Sequence, residues 1–212
     1  MRYIALVLAV LLGACSTTPR VQTEVTAFHT LQEAPTGKTF AMVPIPDQEG
    51  SLEWRNYANL VSRRLTNKGL VRVDYASEAD LAVFLTYVID GGRTTVSSVP
   101  VYGQTGGGTT TTTTGYVGRT PISGSTYTPP TFGVTGYAPV EDTVYTRRVR
   151  VYILDAKRTT ANKPAVVYES TATSVGSIPN LNVVMPYIMD AVFNDWPGQS
   201  GTTQRLNLPI RE

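Results

Sequence analysis

Hydrophobic and polar positions change period several times along the chain, and each change marks an element. From Val21 to Phe28, Val21, Thr23, Val25 and Ala27 alternate with polar Gln22, Glu24 and Thr26, the two-residue period of a half-buried strand. Thr39 to Ile45 predicts a second strand, closed by Pro44 and Pro46. Ser51 to Lys68 switches to helical spacing, with Trp54, Tyr57/Ala58, Val61 and Leu65 on one stripe. Ser51 supplies an N-cap, Glu53 suits the positive end of the helix dipole, and Lys68-Gly69 stops the helix. Leu70 to Tyr75 predicts a strand and Ser77 to Asp80 a polar turn. Leu81 to Ile89 is apolar on both faces, which predicts a central strand covered on two sides.

Asp90-Gly91-Gly92 reads as a turn or bulge, and Arg93 to Val101, rich in Thr, Ser and Val, extends the strand toward solvent. From about Gly103 to Val140 the pattern dissolves into low complexity. Gly106 to Gly108 is followed by six threonines, Thr109 to Thr114, and Arg119 is the one charged residue before Glu141. Thr and Tyr favour strands, whereas the glycines and prolines favour disorder. Composition therefore predicts a disordered loop in preference to an elongated hairpin arm. Periodicity returns at Thr143 to Ala156, with Tyr145, Val149, Val151 and Ile153 on one face and Arg148, Arg150 and Tyr152 on the other. Ala165 to Val175 predicts the returning strand of a hairpin. A last helix is expected from Asn182, with Met185, Ile188, Val192 and Trp196 as its stripe, Pro186 within its first amides and Pro197-Gly198 as its end. Leu206, Leu208 and Ile210 alternate as an edge strand would. This order predicts an α+β fold: a mixed, mostly antiparallel sheet packed by two helices, with a long Gly/Thr-rich insertion at 103–140.

The first residues follow another logic. Arg2 provides a short positive region, Ile4 to Leu12 an unbroken apolar run, and Leu12-Gly13-Ala14-Cys15 a lipobox. The run is far shorter than the roughly twenty residues that a membrane-spanning helix needs. The predicted organisation is a lipoprotein signal peptide at 1–14, cut between Ala14 and Cys15, a tether at 15–20 and a single periplasmic domain at 21–212. Two or three acyl chains on Cys15 would hold the protein at a membrane, since each buried CH₂ contributes about 0.8 kcal/mol.

Composition narrows the chemistry. Apolar residues make up 42% of the chain, enough for a core, and a net charge of +2 does not point to nucleic acid. Cys15 is the only cysteine, so with its thiol acylated no disulfide, thiolate site or cysteine nucleophile is expected. His29 is the only histidine and sits in a predicted turn without a nucleophile-elbow motif nearby. One histidine without cysteines is a poor basis for zinc, and no metal or cofactor is expected. The acidic residues Asp74, Glu78, Asp80, Asp90, Glu141, Asp142 and Asp155 fall mostly at strand ends and turns, where solvation and turn formation explain them. Gly106 to Gly108 lacks the Gly-Lys-Ser/Thr ending of a phosphate loop. Arg148 and Arg150, with Arg147 on the opposite face, suit either a solvated strand face or contact with lipid phosphates. Tyr116, Phe132 and Tyr137 punctuate the low-complexity segment, an adaptable binding composition that makes them the candidate partner contacts.

Several stretches also resemble a known family. These are the lipobox ahead of a first strand, Leu65-Thr66-Asn67-Lys68-Gly69-Leu70 closing the first helix, Ala79-Asp80-Leu81-Ala82-Val83 followed by Tyr87-Val88, and Phe193-Asn194-Asp195-Trp196-Pro197. Together they resemble the bacterial envelope family catalogued as domain of unknown function 4136. The resemblance implies a lipoprotein of Gram-negative envelopes without an assigned activity. Ser16, in place of an aspartate after the lipidated cysteine, favours the outer membrane's inner leaflet, facing the periplasm. The expected role is non-enzymatic, an interaction or structural part of the envelope with a protein or glycan partner. The alternatives are an accessory lipoprotein of lipid or solute transport that binds an amphiphile, and an envelope hydrolase.

Overall fold

A computed structural model describes residues 19–160 and 162–210. The expected signal peptide, its lipobox and most of the expected tether fall outside them. Among the described residues ten strands and two α-helices follow one another: β1 (Arg20–His29), β2 (Thr39–Met42), α1 (Leu52–Asn67), β3 (Val71–Arg72), β4 (Leu81–Ile89), β5 (Arg93–Gly106), β6 (Thr109–Val117), β7 (Thr120–Thr128), β8 (Thr131–Asp155), β9 (Val166–Gly176), α2 (Leu181–Phe193) and β10 (Thr202–Pro209). The chain divides into two compact units, a body of described residues up to Gly92 and from Val144, and an arm of Arg93–Thr143.

The body is a mixed sheet with two helices, its strands in the order β10-β1-β9-β8-β4-β2-β3. Pairing is antiparallel from β10 to β4 and parallel at β2–β4 and β2–β3. Side chains alternate between faces along a strand, and only one face of this sheet is fully buried. Val21 and Val25 of β1, Tyr168 and Ala172 of β9, Val149, Val151 and Ile153 of β8, and Leu81, Val83 and Leu85 of β4 carry it. Above them α1 lays Tyr57, Val61 and Leu65, and α2 lays Val184, Met185, Ile188, Met189 and Val192. Burying each such side chain contributes roughly 1.5–3 kcal/mol.

The first helix starts as its cap demands, the Trp54 N–H donating to Ser51 Oγ at 3.1 Å. The second starts earlier than the pattern suggests. Asn180 is its N-cap, accepting the Asn182 N–H at 2.9 Å. Pro186 is therefore the sixth helical residue, past the amides that lack an intrahelical acceptor, and it costs the helix one hydrogen bond. The helix ends at Phe193, so Trp196 is buried just beyond it.

Other expectations are corrected by the tertiary packing. The strand expected over Leu70 to Tyr75 shortens to Val71–Arg72, because β3 is an outer strand with a single two-residue ladder to β2. The second strand ends at Met42, before the prolines. The central strand β4 is covered on one side only: Leu81, Val83 and Leu85 are buried, but Ala82, Phe84 and Thr86 are half-exposed and Val88 is 57% exposed. Both helices lie on the same face, so no layer of described residues covers the second apolar face of β4. C-terminal Leu206 and Leu208 do form an outer strand, β10, on β1.

One polar cluster joins the parallel part of the sheet. The Asp80 carboxylate accepts from the Thr39 N–H and hydroxyl, both at 3.0 Å, and from Lys157 Nζ at 2.6 Å. Those donors, Lys157 first, hold its pKa down at about 2.

The single-face core makes a simple prediction. Ile188→Ala should lower the unfolding free energy by about 2–5 kcal/mol, while Val88→Ala on the open face should change it by less than about 0.5 kcal/mol. Denaturant melts of the two variants read the difference; equal losses would mean that the second face is also packed.

Candidate functional site

The segment that composition assigned to disorder is built of strands. In the arm β5 pairs with β8, and β6 pairs with β7 over its whole length, from Thr109↔Thr128 to Val117↔Thr120. The threonines explain this, since β-branched side chains lose little by adopting extended backbone. The tip is the two-residue turn Gly118-Arg119, with Gly118 at φ 64° as its first central residue demands. Where β5 gives way to β6 the backbone passes so close to Pro129 that a Cβ on Gly107 would lie 1.9 Å from the Pro129 carbonyl oxygen. Glycine alone fits there. The structured unit also starts earlier than the low-complexity stretch, at Arg93, and ends at Thr143.

Cross-strand partners share a face. Thr110, Thr112, Thr114 and Tyr116 therefore lie with Tyr127, Ser125, Ser123 and Pro121, while Thr109 and Thr111 lie with Thr128 and Thr126 on the other side. Neither face is covered. Every residue of β7 is exposed, and so is all of β6 apart from Gly115. Tyr116 is 77% exposed, Phe132 73% and Tyr137 70%. Tyr116 sits beside the tip turn, whereas Phe132 and Tyr137 lie on β8. The three predicted contact residues are thus presented to solvent along the arm instead of being gathered in one cleft.

The body offers less free chemistry. A groove of about 650 Å³ lies between α1, α2 and β10, lined by Arg64, Lys68, Tyr187, Asp190, Phe193 and Leu208 among others. Arg64 pairs with Asp190, and Lys68 Nζ donates to the Asn194 carbonyl at 3.4 Å, so its charges are already engaged. At the start of α1 the Glu53 carboxylate accepts from the Tyr57 hydroxyl at 3.0 Å and the Tyr87 hydroxyl at 3.4 Å, with the two rings edge to face at 4.8 Å. Burial, reinforced by Glu53, pushes both phenols above their usual range, so each stays a proton donor to the carboxylate. The cluster latches α1 to β4.

His29 ends β1, its Nδ1 3.0 Å from the Leu31 carbonyl oxygen and its Nε2 3.2 Å from that of Gly198, with the ring stacked on Tyr168 at 6.0 Å. It ties the segment after α2 to the sheet. Among the described residues no group of three or more His, Cys, Asp or Glu side chains is placed to hold a metal ion. Cys15 and Ala14 lie outside the described residues.

The arginines of β8 separate cleanly. Arg148 and Arg150 are exposed on the open sheet face, opposite Val88 and Thr86 of β4 and Thr173 and Thr171 of β9. Arg147 is 2% exposed and donates to the carbonyls of Gly176, at 3.0 Å, and Ile178. Burial lowers its pKa, and Asp90 partly offsets that. It pins the chain between β9 and α2, a structural role visible only in its phase with Val149 and Val151.

Comparison with known proteins adds a family and little else. A family model described as a domain of unknown function, DUF4136, matches residues 24–198. No curated protein matches. Among solved structures, a PDZ domain protein from Parabacteroides distasonis aligns with 95% of this chain at 16% identity and a TM-score of 0.46. The chain spans 42% of that protein's length.

The arm geometry predicts that Gly107→Ala unseats β6 and β7 while sparing the body. Limited thermolysin digestion should then cut between Val101 and Val134 much faster, with the melting temperature of the body unchanged. Unaltered cleavage would show that the close approach at Pro129 does not organise the arm.

Proposed function

The chain belongs to the DUF4136 family, and on that footing we propose that it is a non-enzymatic lipoprotein of the cell envelope, anchored through Cys15, whose arm makes its contacts. The observation that carries this reading is the arm: a separate compact unit with exposed aromatic side chains and no core of its own. Two-stranded hairpins are at best marginally stable in water, and a chain that keeps such a long one gains from what the hairpin touches. Tyr with Gly, Ser and Thr gives rigid contact area beside adaptable hydrogen bonding, and Tyr116, Phe132 and Tyr137 are the residues placed to use it. The partner is an envelope protein or glycan.

The anchor rests on the Leu12-Gly13-Ala14-Cys15 lipobox, and Ser16, in place of an aspartate after it, favours the outer membrane's inner leaflet, facing the periplasm. In architecture we place the body in the α+β class, its helices segregated to one face of a mostly antiparallel sheet.

Two variants test the parts separately. Cys15→Ala should release the protein from the membrane fraction or leave its signal uncut; a processed chain that stays membrane-bound would contradict the anchor. Deletion of 103–140 should abolish in-cell crosslinks from the arm's flanks to partner molecules while the body keeps its melting temperature. Unchanged crosslinks would contradict the contact role.

A further inference from the structure

We infer that the open edge of β6 is a pairing seam for a second copy of this chain, an inference that rests on the arm being the contact element. The ribbon of β6 and β7 stands as a two-stranded sheet, so among the described residues each strand has one ladder partner and one bare edge. A bare edge presents unpaired N–H and C=O groups, a template for another strand. A two-stranded ribbon is at best marginally stable in water, and two ribbons meeting edge to edge make four strands, with each inner edge paired.

The chain guards its other edges and leaves this one open. On the body's outer strands, β3 is only two residues long, and β10 carries Arg205, paired with Glu24 at 2.7 Å, and ends at Pro209. Short strands, charges and proline are the usual protections of an edge. Within the arm, β5 contains Pro100, β7 contains Pro121 and β8 contains Pro139. Strand β6 contains no proline and no charge. The nearest charge, Arg119, sits in the tip turn, so no like charges meet when two copies of β6 approach.

The occupant follows from the sequence of the edge itself. Thr109 to Thr114 is a run of one residue type, and in an antiparallel pair threonine faces threonine wherever two such runs overlap. Cross-strand Thr–Thr pairs hydrogen-bond through their hydroxyls and contribute favourably. Main-chain bonds alone would admit other strands; a second copy adds the matching threonine hydroxyls along the whole overlap. A twofold seam is also the commonest way in which identical chains associate.

Cysteine crosslinking tests the seam in the full-length, lipidated chain, where Cys15 is the only native cysteine. Thr112→Cys on β6 should give a disulfide-linked dimer on mild oxidation of membranes, whereas Ser123→Cys on β7 and the unmodified protein should not. The double variant Thr110→Lys, Thr112→Lys places gatekeeper charges on the edge. It should turn detergent-extracted protein from mainly dimer to mainly monomer at an unchanged body melting temperature. Dimers formed equally through Ser123→Cys, or a monomer throughout, would overturn the seam. If the chain is a monomer yet deletion of 103–140 still removes crosslinks to another molecule, the seam falls and the contact role stands. If that deletion changes nothing, both fall.

Discussion

Burial of one sheet face beneath two helices holds the body together, and most of its other features follow from that asymmetry. The layer of Val83, Leu85, Val149 and Val151 under Val61, Leu65, Ile188 and Met189 is the continuous apolar contact in the structure. Because the mature chain, read as lipidated at Cys15, has no thiol to spare, packing must do what disulfides do in many exported domains. The polar devices sit around the rim of this layer. Asp80 joins Thr39 to Lys157, Glu53 joins α1 to β4, and Arg147 fastens the approach to α2. Each satisfies polar groups at an edge where an unpaired one would weaken the core.

The arm obeys the opposite rule. Its residues are almost uniformly exposed, so it has ladder hydrogen bonds and strand propensity but no hydrophobic layer. A structure of that kind is poor at holding itself and well suited to gaining order from a partner. Physical separation of the two rules within one chain, a core without an arm's openness and an arm without a core, underlies the functional reading.

Periodicity exposed the body and hid the arm. Helix α1, strands β1 and β4, the β8–β9 hairpin and the β10 tail were legible because burial imposes a period, and Ser51 announced its helix by cap chemistry. The two-sided cover expected for β4 failed because an apolar face does not reveal which neighbour covers it; both helices went to the other side. Pro186 misled because the N-cap lay two residues upstream, at Asn180. In the arm, uniform exposure erases the period, and glycine and proline then outweigh the β-propensity of six threonines. The register that pairs Thr109 with Thr128 is set by a turn at Gly118 that composition alone does not single out. Arg147 was legible on the face opposite Arg148 and Arg150, where it is buried, but the Gly176 and Ile178 carbonyls that receive it come from a distant stretch of chain that spacing does not reveal. Tyr116, Phe132 and Tyr137, the proposed contacts, are exposed and spread along the arm instead of sharing one cleft.

The account turns on whether the arm completes its order by association. Hydrogen–deuterium exchange of the detergent-solubilised protein over a range of concentrations addresses this directly. Protection of the Thr109–Thr114 amides should rise with concentration while amides of α2 and β4 stay constant. Arm amides that exchange at the same rate at every concentration, whether fast or slow, would contradict it.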